Sequence, residues 1–98
     1  MKRVDRITSY RNDLDDNEAF IAKDNPTTAL AMWFLIDDQV TKLADPKFPR
    51  RPGRVTGTME LVAHENYIVI LEEDSSCVTA LNVVHARQQW PIREPRSI

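Results

Sequence analysis

The 98 residues include one cysteine, two glycines and two histidines. Cys77 has no second cysteine to pair with, which excludes an internal disulfide and a cysteine metal cluster. With only Gly53 and Gly57 present, glycine-rich loops that cradle nucleotide phosphates are nearly excluded. No P-loop, GxGxxG, GxSxG or HExxH pattern occurs. His64 and His85 lack the further ligands that a metal site needs, so neither a metal nor another cofactor is expected. No apolar run approaches the roughly 20 residues of a membrane-spanning helix. Met1 to Arg3 lead into Asp5 and Arg6 rather than an apolar stretch, so no signal peptide is expected. The expected location is therefore the cytoplasm, without a membrane partner.

What is present fits one folded domain. The apolar fraction is 42% and the charged fraction 29%, the balance of a globular chain. The domain is expected to span residues 1–91, with a flexible polar tail over 92–98. The net charge of −2 argues against a chain that grips nucleic acid alone through phosphates. The charge is segregated. Residues 13–24 hold five acids against Lys23, whereas 47–54 hold Lys47, Arg50, Arg51 and Arg54 with no acid.

Periodicity predicts the elements. A short edge strand is read near residues 2–8. Leu14, Asn17, Phe20 and Ile21 recur at helical spacing over 12–23, with Asn17 a polar break in the apolar stripe. Asn25-Pro26 is an N-cap followed by proline at the first helical position. The second helix runs over 26–44, with Ala29, Trp33, Ile36, Val40 and Leu43 on one face and Leu30 and Phe34 flanking it. Pro46, Pro49 and Pro52 hold an extended loop. Strands follow at 55–64, 67–71 and 77–85, with turns at Glu65-Asn66 and Asp74-Ser75-Ser76. The class is α+β, ordered β-α-α-β-β-β: a helical hairpin packed on a small antiparallel sheet. The last strand runs off into His85-Ala86-Arg87-Gln88-Gln89-Trp90-Pro91. That run is either a recognition or catalytic patch, or a frayed end with Trp90 folded back onto the core.

Three segments carry a family resemblance. Arg51 to His64 (RPGRVTGTMELVAH), Asn66 to Leu71 (NYIVIL) and Leu81 to Pro91 (LNVVHARQQWP) together resemble the RelE/ParE superfamily, the toxins of bacterial type II toxin–antitoxin pairs. Residues 13–26 are similar to that family's first helix and interhelical turn. The resemblance implies the same hairpin-on-sheet fold and a cognate antitoxin as partner, for which Trp33 and Phe34 on the hairpin are the candidate contacts.

The superfamily has two branches. RelE-like members cleave mRNA on the ribosome without a metal, and ParE-like members poison DNA gyrase. Ile68 stands where RelE-like nucleases carry an arginine on the central strand, and Arg93 where they use a tyrosine. The ParE-like reading is therefore preferred, with His85, Arg87, Gln88, Trp90 and Arg54 expected to touch the target. The alternative is a ribosome-dependent mRNA interferase. Cleavage by 2′-hydroxyl attack wants a base, an acid and a cation, which His64, His85 and Arg87 could supply. A third reading is a defused toxin that keeps only antitoxin binding, suggested by Met59, Asn17 and Glu72 at atypical positions. An unrelated α+β module is the bland alternative, and it gives residues 85–90 no special role.

Overall fold

The computed structural model describes residues 1–86. Its elements are β1 (Arg3–Arg6), α1 (Thr8–Ala22), α2 (Pro26–Lys42), β2 (Arg51–Pro52), β3 (Met59–His64), β4 (Tyr67–Glu73) and β5 (Cys77–His85). The sheet order is β1-β5-β4-β3-β2. The hairpin-on-sheet expectation holds, but the sheet is mixed rather than antiparallel. β1 lies parallel to β5, with Arg3 opposite Cys77 and Arg6 opposite Ala80. A parallel pair requires a crossover, and here the helical hairpin and the following strands provide it.

α2 starts where its sequence says. Asn25 accepts a hydrogen bond from the Thr28 N–H at 3.0 Å, and Pro26 fills the first helical position. α1 begins four residues before the expected Asn12, with Ile7 as an N-cap that makes no side-chain capping bond. The earlier start puts Tyr10, four residues before Leu14, on the stripe that faces the sheet. Tyr10 and Leu14 enter the core, whereas Phe20 is 69% exposed. Asn17 is half-buried and donates its amide to the Asp13 carbonyl at 3.0 Å, so the break in the stripe is satisfied locally.

The core lies between hairpin and sheet. Tyr10, Leu14, Ile36, Val40 and Leu43 pack on Leu61, Tyr67, Val69, Leu71, Val78 and Val83. Each fully buried aliphatic contributes about 1.5–3 kcal/mol. Ile68, Ile70 and Val84 form a second buried cluster. Alternation along β4 puts these isoleucines on the face away from the helices. A register shift at Ile70/Leu71 leaves Leu81 unpaired in β5. Just beyond it, Asp13 of α1 accepts from the Asn82 amide at 3.0 Å and the Val83 N–H at 2.9 Å, tying the helix to the strand.

β3 also begins later than expected. Residues 53–58 form a turn instead, closed by Gly53 N–H to the Thr58 carbonyl at 2.8 Å and Thr58 N–H to the Val55 carbonyl at 3.1 Å. Gly57 sits there at φ 88°, a conformation that side chains disfavour.

Candidate functional site

The residues singled out in the sequence fall into three places. His64 ends β3, Tyr67 begins β4 and His85 ends β5, and the register sets His64 opposite Tyr67 and Tyr67 opposite His85. The ring centroids are 6.1 Å apart for His64–Tyr67 and 5.4 Å for Tyr67–His85, the latter edge-to-face. The two histidines are thus gathered around a buried tyrosine at one end of the sheet. His64 Nδ1 accepts the Asn66 N–H at 3.0 Å, which puts the proton of its neutral ring on Nε2. Imidazole and phenol are both hydrogen-bonding groups, so the cluster sets polar side chains at this end of the sheet. Tyr67 was not among the expected site residues. Its signal was its place opposite both histidines, which only the strand register reveals.

Arg54 does not join this cluster. Glu60 is 2% exposed, and its carboxylate accepts from Arg51 Nε and Nη2 at 3.2 and 3.0 Å and from the Arg54 N–H at 3.1 Å. The Arg54 guanidinium approaches the same carboxylate at 3.6 Å. Four residues of strand separate Glu60 from His64, or roughly 13 Å at ~3.3 Å per residue. Arg54 therefore sits in an ion-pair cluster at the other end of β3 from His85, with its side chain 43% exposed.

Arg50, on the same loop, is committed internally. Arg50 donates to Glu73 Oε2 at 2.8 Å and to the Asp45 carbonyl at 2.6 Å, and Lys2 Nζ reaches the same Glu73 oxygen at 2.7 Å. Burial pushes the Glu73 pKa up, but the hydrogen bonds and charges of Lys2 and Arg50 outweigh it and hold the carboxyl below its ordinary range.

On the hairpin, Trp33 and Phe34 meet edge-to-face at 5.3 Å. Their surroundings differ. Trp33 packs against the core and donates Nε1–H to Asp15 at 3.0 Å. Phe34 is 59% exposed, with Leu30 beside it on the same helix also exposed. Arg87, Gln88 and Trp90, like the boundary at residues 91–92, lie outside the described residues. Among the described residues no helix is long and apolar enough to cross a membrane, and no three His, Cys, Asp or Glu side chains are grouped to hold a metal ion.

A family model described as the ParE toxin of the type II toxin–antitoxin system parDE matches residues 8–90. The Sinorhizobium fredii protein named "Putative toxin Y4kP" is 40% identical over 78 residues, covering 80% of this chain and 81% of that protein. Among solved structures, the chromosomal ParDE system of P. aeruginosa superposes with a TM-score of 0.74 at 19% identity, over 87% of this chain and 96% of that one. The RelBE2 toxin–antitoxin complex of Mycobacterium tuberculosis gives 0.54 at 22% identity, over 86% and 96%. These two likenesses concern the fold.

Proposed function

The chain belongs to the ParE toxin family of type II toxin–antitoxin systems, and from there we propose that it inhibits DNA gyrase in the cytoplasm and is neutralised by a cognate antitoxin that covers the helical hairpin. The observation that carries the choice of target is the state of the central strand and its nearest cations. Ile68 and Ile70 are buried aliphatics, Arg50 is committed to Glu73, and Arg51 and Arg54 share Glu60 at the end of β3 away from the histidines. A metal-free nuclease needs a cation on the scissile phosphate, because charge develops there in the transition state. The antitoxin reading is supported by the solved relatives, which are toxin–antitoxin systems, and by exposed Phe34 and Leu30 on α2.

A second reading has one observation in its favour. His64, Tyr67 and His85 gather ring against ring at one end of the sheet, and histidines are residue types an mRNA interferase would use. The two are separated by a supercoiling assay with purified gyrase run beside a ribosome-bound mRNA cleavage assay. Loss of supercoiling with intact mRNA is expected. Ribosome-dependent cleavage with unaffected gyrase overturns the gyrase reading, and His64→Ala and His85→Ala then test the cluster.

A further inference from the structure

We propose that Arg51 and Arg54, held together on Glu60, form a fork that contacts the sugar–phosphate backbone of the DNA that gyrase holds, rather than gyrase itself. This rests on the gyrase reading above and gives the chain a contact that exists only when enzyme and DNA are together.

The fork is built on a buried anchor. Glu60 stands opposite Ile70 of β4, and the two are 2% and 1% exposed. Arg51 donates through Nε and Nη2 to one carboxylate oxygen. Arg54 brings its backbone N–H and its guanidinium to the other. Two cations thus share one anion, and a positive charge is left over. The two arginine side chains remain 52% and 43% exposed, so that charge faces water. A guanidinium has five N–H donors, and the carboxylate engages only one edge of Arg51. A guanidinium already held at one edge loses little rotamer freedom when its free donors take a phosphate oxygen.

The surface beside the fork suits a nucleic-acid backbone better than a protein. The exposed positions from 51 to 57 are Arg51, Pro52, Arg54, Thr56 and Gly57. None of them is an aromatic or a large aliphatic, the side chains that anchor protein interfaces. Guanidiniums, hydroxyls and main chain are the groups that meet phosphates. Gly57 has open space where a side chain would stand, so another backbone can come close there.

Charge segregation orients the approach. Asp13 of α1 bonds to Val83 of β5, and Asp16 and Asp24 are exposed on the same acidic stretch. β2, which carries Arg51, lies three strands away from β5, or roughly 14 Å at ~4.8 Å per strand. The chain is thus a dipole that turns its β2 edge towards a polyanion. Its net charge of −2 meanwhile opposes binding to free DNA. Gyrase would supply the affinity that brings the fork to the backbone.

The test is the affinity of the purified full-length protein for immobilised gyrase, with and without a bound linear duplex. The parent should bind the DNA-loaded enzyme about tenfold or more tightly, and this advantage should fade as salt rises from 50 to 200 mM, as phosphate contacts do. Arg54→Gln should remove most of the advantage, whereas Arg54→Lys, which keeps the charge, should retain part of it. Melting temperatures show whether each variant is folded, and the salt dependence of the parent tests the claim without any variant. Equal parent affinity for both forms of gyrase overturns the fork while leaving the gyrase reading standing. Binding to neither form overturns both. Arg54→Gln that keeps the full DNA advantage but loses affinity for the antitoxin assigns the fork to an acidic peptide and also sinks the proposal.

Discussion

Tyr10 donates its hydroxyl to Asp37 Oδ1 at 2.9 Å, and that same oxygen accepts from Arg6 Nε at 2.8 Å. One carboxylate thereby joins α1, α2 and β1. In the fold it sits under the crossing of three elements, and Arg6 also donates to Thr41 Oγ1 at 2.7 Å. Tyr10→Phe should cost about 1–2 kcal/mol, the net worth of a charge-assisted hydrogen bond. Asp37→Ala should cost more, about 2–4 kcal/mol, because it strips partners from both Tyr10 and Arg6. Urea unfolding midpoints check the order. Burial and the Asp37 charge push the Tyr10 pKa well up, so its proton is held more tightly in the folded state. This contribution is complete below the ordinary tyrosine value of about 10 and is lost as pH rises above it. Tyr10→Phe should therefore flatten the alkaline limb of the stability curve.

Glu73 sets the opposite limb. Its carboxyl is held below its ordinary range by Lys2 and Arg50, against the opposing effect of burial. The stability it adds is present above the unfolded value of about 4.3 and is lost as pH falls through its folded value. Glu73→Gln should lower stability by about 1–3 kcal/mol at neutral pH, since it leaves the Arg50 guanidinium, 6% exposed, without its counter-charge. The difference between variant and parent should shrink steadily below about pH 4. A constant difference down to pH 2 would mean that packing, not charge, accounts for it.

How much of this was legible beforehand depends on the range of the interaction. Asn25-Pro26 and the spacing of Ala29, Ile36, Val40 and Leu43 are local signals, and α2 follows them to within two residues at its end. α1 offered no capping side chain, because Ile7 cannot accept a backbone hydrogen bond, so nothing marked its start and Phe20 was placed on the wrong face. β1 reads as a weak strand, but its parallel pairing joins residues more than seventy positions apart and leaves no local trace. The turn at 53–58 looked like strand because Val55, Thr56 and Thr58 favour strands, and the positive φ of Gly57 overrides them. At the site, His64 and His85 could be named from residue type. Their gathering around Tyr67, and the commitment of Arg54 to Glu60, depend on register and on a buried carboxylate that no spacing announces.

The Glu60 cluster gives a prediction about asymmetry. Removing the carboxylate frees two arginines that already reach water, whereas removing Arg51 leaves a buried charge short of its best donor. Arg51→Ala should therefore cost about 2–4 kcal/mol, while Glu60→Met, which fills a similar volume without charge, should cost less than about 1.5 kcal/mol. Thermal melts of the two variants decide it, and the reverse order would show that the ion pairs rather than the burial dominate.

Trp33 and Phe34 are neighbours in sequence and in contact, yet the fold divides them. Trp33 lies partly buried against the core and fixes its indole N–H on Asp15. Trp33→Ala should destabilise the protein by about 2–4 kcal/mol, combining lost apolar area with the cavity left behind. Phe34 spends most of its ring in solvent, so Phe34→Ala should change stability by less than about 0.5 kcal/mol. If an antitoxin covers the hairpin, the same Phe34→Ala variant should weaken the complex by about tenfold or more, as truncating an exposed aromatic that becomes a buried anchor does. Calorimetric titration of parent and variant with the antitoxin measures this directly. An unchanged affinity for Phe34→Ala would move the antitoxin off this part of α2 and leave the exposed aromatic for the target instead.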